Sequence, residues 1–158
     1  MLRPEWTSHR TTIRGRPLIV LRDQHGRIRD IRSGPNLIVQ NGWEMIASQI
    51  GKSAGGTGAQ NIGLGTDSGP IASTDNTIST ETASRILATW SSSVGCVTWN
   101  LSASFGSGVP GGGDSIRQAG VLTSATGGTM FAKASFAVVN KGSADSLLVT
   151  WLFSMASV

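Results

Sequence analysis

Between Asp114 and Val158 apolar and polar side chains alternate in three runs separated by two turns, and this period of two decides what the chain can fold into. Ile116 to Leu122 form the first run. After a Thr126-Gly127-Gly128 turn, Thr129 to Val139 carry Met130, Ala132, Ala134 and Phe136 on one face. After a second turn over Asn140 to Asp145, the residues Leu147, Val149, Trp151, Phe153 and Met155 alternate with Thr150, Ser154 and Ala156. Successive side chains of a strand point to opposite sides, so each run has one apolar face. The pattern predicts a three-strand antiparallel block that closes the chain.

Further strands precede it. Val97, Trp99, Leu101, Ala103 and Phe105 alternate with Cys96, Thr98, Asn100, Ser102 and Ser104, and the inward set supplies about 1.5–3 kcal/mol for each large side chain fully buried. Pro17 to Asp23, a Gln24-His25-Gly26 turn and Arg27 to Arg32 read as a hairpin, with Ile28 and Ile31 imperfectly in register. Asn61 to Gly65 and Arg85 to Val94 add strands, and Thr66 to Thr80 form a long polar loop of the kind that serves as a working surface or a mobile segment. One helix is predicted from about residue 41 to 51, with Asn41 as N-cap, Gly51 as C′ residue and Leu37, Trp43, Ile46, Ala47 and Ile50 on its buried face.

The chain has 158 residues, one ordinary domain, and its 21 glycines are about twice the usual share of roughly 7%. Some eight mostly antiparallel strands follow, so the expected fold is mainly β: a sandwich or jelly-roll-like domain over 17–158 with one short packed helix, preceded by an extended basic arm over 1–16. The single cysteine excludes an intramolecular disulfide, and no apolar run approaches the length of a membrane span. A soluble protein with no membrane partner is expected.

The net charge of +4 is unevenly placed. Residues 1–35 hold eight arginines against Glu5, Asp23 and Asp30, a balance of +5, and the rest of the chain carries −1. Arginine suits bidentate pairing with carboxylates or phosphates. Two readings stand: a solvated hairpin face with a frayed arm, or docking on an acidic protein surface through Arg3, Trp6, Arg10, Arg14, Arg16, Arg27, Arg29 and Arg32. Nucleic acid is disfavoured, because tyrosine is absent and no basic stretch interleaves with aromatics. Of the five tryptophans, Trp99 and Trp151 fall on apolar strand faces and Trp43 on the buried helix face, while Trp6 and Trp90 suit either a partner surface or simple packing.

Motifs of chemistry fail on context. Gly51-Lys52-Ser53 lacks the earlier glycine of a phosphate loop and follows a helix instead of preceding one. Gly51 to Gly55 matches G-x-S-x-G with strand and helix reversed, and Gly63-Leu64-Gly65 is followed by Ser68 where a dinucleotide fingerprint needs glycine. His9 and His25, the only histidines, have no cysteine near them in sequence, and Cys96 reads as an inert thiol. Asp67, Asp75, Asp114 and Asp145 read as turn caps, not as a calcium site. No catalytic, cofactor-binding or metal-binding residue is expected, and the paired carboxylates of a glycosidase are not evident.

Taken in order, DQHGRIRDIRSGPNLIVQNGWEMI, IGLGTDSGPIASTD, an alternating strand ending ASFGSG, IRQAGVL and GGTMFAKASFAVVNKGSADSLLVTW resemble a set of small structural proteins of tailed bacteriophages over roughly residues 20 to 155. The matching positions are Asn36, Leu37, Ile38 and Gly42 at the helix entry, Gly63, Gly65 and Thr66 in the next strand, and Val139, Asn140, Lys141, Asp145, Leu147, Val149 and Trp151 near the end. The resemblance implies a non-enzymatic virion component, assembled in the host cytoplasm, that oligomerises or docks on the major capsid protein or other virion proteins. A capsid decoration (cement) protein, with a trimer favoured, is the first expectation. A tail, baseplate or fibre-attachment protein is the alternative, and a carbohydrate-binding module comes third.

Overall fold

A computed structural model of the chain describes residues 11–51, 58–82, 84–92, 97–111 and 113–157. In order they form β1 (Thr11–Arg22), β2 (Ile28–Arg32), β3 (Asn36–Ile38), α1 (Gln40–Gly51), β4 (Asn61–Gly65), β5 (Ile86–Leu87), β6 (Thr89–Ser92), β7 (Thr98–Phe105), β8 (Asp114–Leu122), β9 (Met130–Lys141) and β10 (Ser146–Ser157). The strands make two five-stranded antiparallel sheets, the first in the order β2-β1-β10-β7-β6 and the second in the order β3-β9-β8-β4-β5. The fold is mainly β, as the alternation requires, and the described residues form one helix and ten strands where about eight strands are counted from sequence.

One core joins the two sheets. Ile19 and Leu21 of β1, Leu101, Ala103 and Phe105 of β7, and Leu147, Val149, Trp151 and Phe153 of β10 belong to the same buried cluster as Ile62, Leu64, Ile116, Val121, Ala132, Ala134, Phe136 and Val139 of the second sheet. Trp151 is fully buried, and its indole Nε1–H donates to Asn36 Oδ1 at 3.1 Å, which ties the first sheet to β3 of the second. Phe153 stacks on Trp99 at 5.2 Å and meets Phe131 edge-on at 5.4 Å.

The closing block is not one sheet. β8 and β9 pair, but β10 crosses to the first sheet and lies between β1 and β7. Alternation fixes which side of a strand faces the core and leaves open which strand lies beside it. Asp145 makes the corner: its Oδ2 accepts from Gly142 N at 2.9 Å and from Arg29 Nη1 at 3.0 Å. Asp67 and Asp75 cap turns as expected, accepting from Gly69 N and Ala72 N, whereas Asp114 starts β8.

Part of the expected N-terminal arm is strand. Residues 1–10 lie outside the described residues, while 11–16 are the first half of β1, in register with β10 from Thr11↔Ser157 to Arg16↔Leu152. Gly15 and Pro17 break the visible alternation, yet a side chain on Gly15 would lie 3.0 Å from the Phe153 ring, so glycine suits its inward position. The helix also departs from the reading. It begins at Gln40, with Trp43 N donating to Val39 O, so Asn41 lies in the first turn and is not the cap. Gly42 is pressed on β9, where a Cβ would come within 2.1 Å of Phe131 O. That contact turns Met45 and Ile46 toward the core and Trp43 away from it, leaving Trp43 44% exposed.

The long loop after β4 is a cover. Ile78, buried, fills a slot floored by glycines: a Cβ on Gly63, Gly65 or Gly120 would meet its side chain at 2.6, 2.5 or 2.9 Å. Lys133 Nζ reaches Asp75 Oδ2 at 3.1 Å, and Gln40 N donates to Ser73 O at 2.7 Å. A register shift between Val121 and Leu122 places Met130 in a small second cluster under this loop, with Val39, Ile78 and Leu122, and not on one face with Ala132 and Ala134. No helix among the described residues is long and apolar enough to cross a membrane.

Candidate docking surface

On β1, Ile19 and Leu21 face the core, so Arg14, Arg16, Leu18 and Val20 face outward. The register sets Arg16 beside Leu152, Leu18 beside Thr150, and Val20 between Leu148 and Ile31. The outer face of the first sheet therefore carries an apolar stripe in which Leu18, Ile31 and Leu152 are 42%, 51% and 46% exposed, bounded on one side by two arginines. Its other side is polar: Asn100, Ser102 and Ser104 of β7 continue the same rows. Arg14 and Arg16 are exposed and about 7 Å apart along the strand, and among the described residues neither makes an ion pair or hydrogen bond. An exposed apolar stripe of this kind beside free cations is a feature of protein-binding surfaces.

The remaining arginines of the hairpin are engaged within the chain. Arg27 Nε meets Asp23 Oδ2 at 2.8 Å, Arg32 pairs with Asp30, and Arg29 reaches the nearly buried Asp145. Arg22 donates to Gly26 O in the turn. Slight burial raises the Asp23 carboxyl, but hydrogen bonds from Arg27 and from His25 N outweigh it and hold the group below its ordinary value. His25 is exposed in that turn. Arg3, Trp6, Arg10, His9, Cys96 and the Lys52-Ser53 motif lie outside the described residues. The structure thus separates one list of basic residues into a pinned group and a free pair, a distinction that depends on where the partner carboxylates fall and that spacing does not reveal.

A second surface opens at the end of the core where β1 begins. Met45, Ile46 and Gln49 of α1, Ala59 and Gln60, Trp90 of the edge strand β6, Trp99, Phe131 and Met155 line a groove of about 420 Å³. Trp90 pairs with Leu101 and so lies on the inward side of its strand, yet it is 52% exposed at the groove. Met155, expected inward, is 41% exposed at the same mouth, and Val97 lies before β7 and is 54% exposed. The groove escaped sequence reading because it draws on six separate segments.

Lys141, on the inward side of β9, is buried, and its Nζ has no hydrogen-bond partner among the described residues. Burial pushes its pKa below the ordinary lysine value, and the charges of Asp145 and Asp114 only partly oppose this. Among the described residues no three His, Cys, Asp or Glu side chains come together in a metal-binding group. Comparison of the chain with protein-family models, with curated proteins and with solved structures returns no match.

Proposed function

We propose that this chain is a non-enzymatic structural module that docks on an acidic protein surface through the outer face of its first sheet, and that it serves as a capsid decoration protein on a tailed-phage virion. The observation that carries the docking reading is the free Arg14 and Arg16 pair beside the exposed Leu18 and Leu152. Arg3 and Arg10 of the preceding segment extend the same positive charge. The phage setting and the major capsid protein as partner rest on the resemblance over residues 20 to 155. A homo-oligomer, with a trimer favoured, and a sandwich or jelly-roll-like classification of the two sheets belong to the same proposal. The acidic side chains support a non-enzymatic role: Asp23, Asp30, Asp75, Glu81 and Asp145 are each committed to an ion pair.

A reconstruction of the particle that carries the chain tests the reading. Density from a neighbouring protein over Arg14, Arg16 and Leu152, with acidic side chains opposite the arginines, is expected. A chain whose first sheet faces bulk solvent on every copy contradicts it. The same map separates a site on the shell from one on a tail, baseplate or fibre.

A further inference from the structure

We propose that a cleft on the outer side of the second sheet, left open between the start of the 66–80 loop and β9, binds a neutral polyhydroxylated ring: a single sugar unit. The inference stands apart from the docking face, which lies on the other sheet, and from the phage setting.

An irregularity of pairing builds the cleft. Ile116 pairs with Val139 and Gln118 with Ser135, so Arg117 alone stands opposite residues 136–138. A bulge of this kind bends a strand and re-aims its side chains. Ile116 and Ala119 both belong to the core, which leaves Arg117 and Gln118 to the outer side. There the loop crosses them: Gln118 Nε2 donates to Gly69 O at 3.4 Å, and Gly69 N donates to Asp67 Oδ1 at 3.1 Å. Pro35 is held at β9 by its carbonyl, which accepts from Ser135 N at 3.2 Å. Between these elements lies a cleft of about 260 Å³, lined by Arg117, Asp67, Ser68, Ser135, Pro35 and Ala137 among others.

The charges of this cleft are not spent within the chain. Arg117 is partly buried, and among the described residues it makes neither an ion pair nor a hydrogen bond, while Asp67 on the same cleft makes no ion pair. Next to Arg117, Gln118 is buried, and its Oε1 has no hydrogen-bond partner among the described residues. The cleft at the β1–β2 turn is different, because there Arg27 is paired with Asp23 and Arg29 with Asp145. An arginine only donates, a carboxylate only accepts, and a serine hydroxyl does both. A bare anion drawn to Arg117 would also face the Asp67 carboxylate, and a bare cation drawn to Asp67 would face the guanidinium. Ring hydroxyls, each donor and acceptor at once, serve all of these groups and bring no charge to be desolvated. Pro35 and Ala137, both exposed, offer apolar surface to the C–H face of a ring. The volume is just under the roughly 300–1,000 Å³ of clefts that hold drug-sized molecules, so one ring fits and a longer ligand extends into solvent.

The test titrates the full chain, labelled with ¹⁵N, with glucose, galactose, N-acetylglucosamine and rhamnose, and separately with sodium acetate and with alanine as the anionic and dipolar rivals. At least one sugar is expected to move the Arg117 Nε–H signal and the backbone N–H signals of Ser68 and Ser135 along a saturating curve at millimolar concentration. Asp67→Asn keeps an oxygen for Gly69 N and removes the charge, and Arg117→Met removes a side chain that has no partner in the described fold. Each is expected to weaken the binding at least fivefold while the indole signal of buried Trp151 stays in place. Where Arg117→Met does not fold, Ser68→Val, at an exposed loop position, reads the same loss. No saturating shift with any of the four sugars overturns the proposal. Saturation by acetate or alanine alone marks an ion site and overturns it too, as does sugar binding that the variants leave unchanged.

Discussion

At the scale of single residues, two buried polar groups behave in opposite ways. The Trp151 indole donates to the Asn36 side-chain oxygen across the core; alternation marked Trp151 as inward in sequence, but nothing there pointed to Asn36 as its partner. Trp151→Phe removes the donor and leaves a part-buried oxygen without its partner, which is expected to cost about 1–3 kcal/mol. Urea denaturation should show this as a lower midpoint at unchanged slope, and in a Trp151→Phe background Asn36→Ala should cost less than it does alone. Lys141 has no such partner. Its folded pKa lies below the ordinary 10.5, so between the two values the unfolded chain holds more protons and stability rises with pH. Below that window the lysine is charged in both states and the whole desolvation cost remains. Lys141→Met is therefore expected to stabilise the fold by about 1–3 kcal/mol at neutral pH. Melting curves across pH should show the advantage shrinking as pH approaches 10.5.

Among elements, what a pattern could reveal depended on whether the pattern was local. The alternation of β7, β8 and β10 identified the strands and most of their buried residues, because side-chain direction in a strand follows from its own sequence. The partner of β10 was not legible, since the same alternation serves a strand beside β9 or one across the core from it. The helix was found but its rotation was misjudged. Its face is set by Gly42 against Phe131 O, a contact that leaves no mark in apolar spacing, and so Trp43 was assigned inward. The long loop over 66–80 was read as a working surface or a mobile segment from its length and polar composition; one apolar side chain, Ile78, and the glycines beneath it make it a cover. Gly65→Ala sets a Cβ against Ile78 and against Ser79 O at 2.6 Å, and is expected to destabilise by about 1–3 kcal/mol. Ile78→Ala should instead free the loop locally: limited proteolysis within 66–77 should quicken several-fold with a smaller change in global melting than Gly65→Ala produces. Equal protection of the two chains would show that the loop is held by other contacts.

Across the whole molecule, the charge asymmetry was plain in sequence, and the fold adds its direction. β1 carries the free arginines on the outer face of one sheet, while the second sheet is covered on its outer side by the loop that Ile78 and Lys133 hold down. Among the described residues, one sheet face is thus closed by the chain itself and the other is left with exposed leucines and with Arg14 and Arg16 unpaired. Removing residues 1–16 would take half of β1 from its register with β10, so a loss of docking in such a truncation could not be separated from a loss of fold. Charge reversal avoids this. Arg14→Glu with Arg16→Glu changes only outward side chains, and circular dichroism is expected to match the parent. The central measurement is the occupancy of this double variant on particles that have been stripped of the native chain and reloaded, compared with the parent at equal concentration and moderate salt. The docking face described here predicts at least a tenfold loss, the order of about 1.4 kcal/mol or more; undiminished occupancy by the correctly folded variant would contradict it.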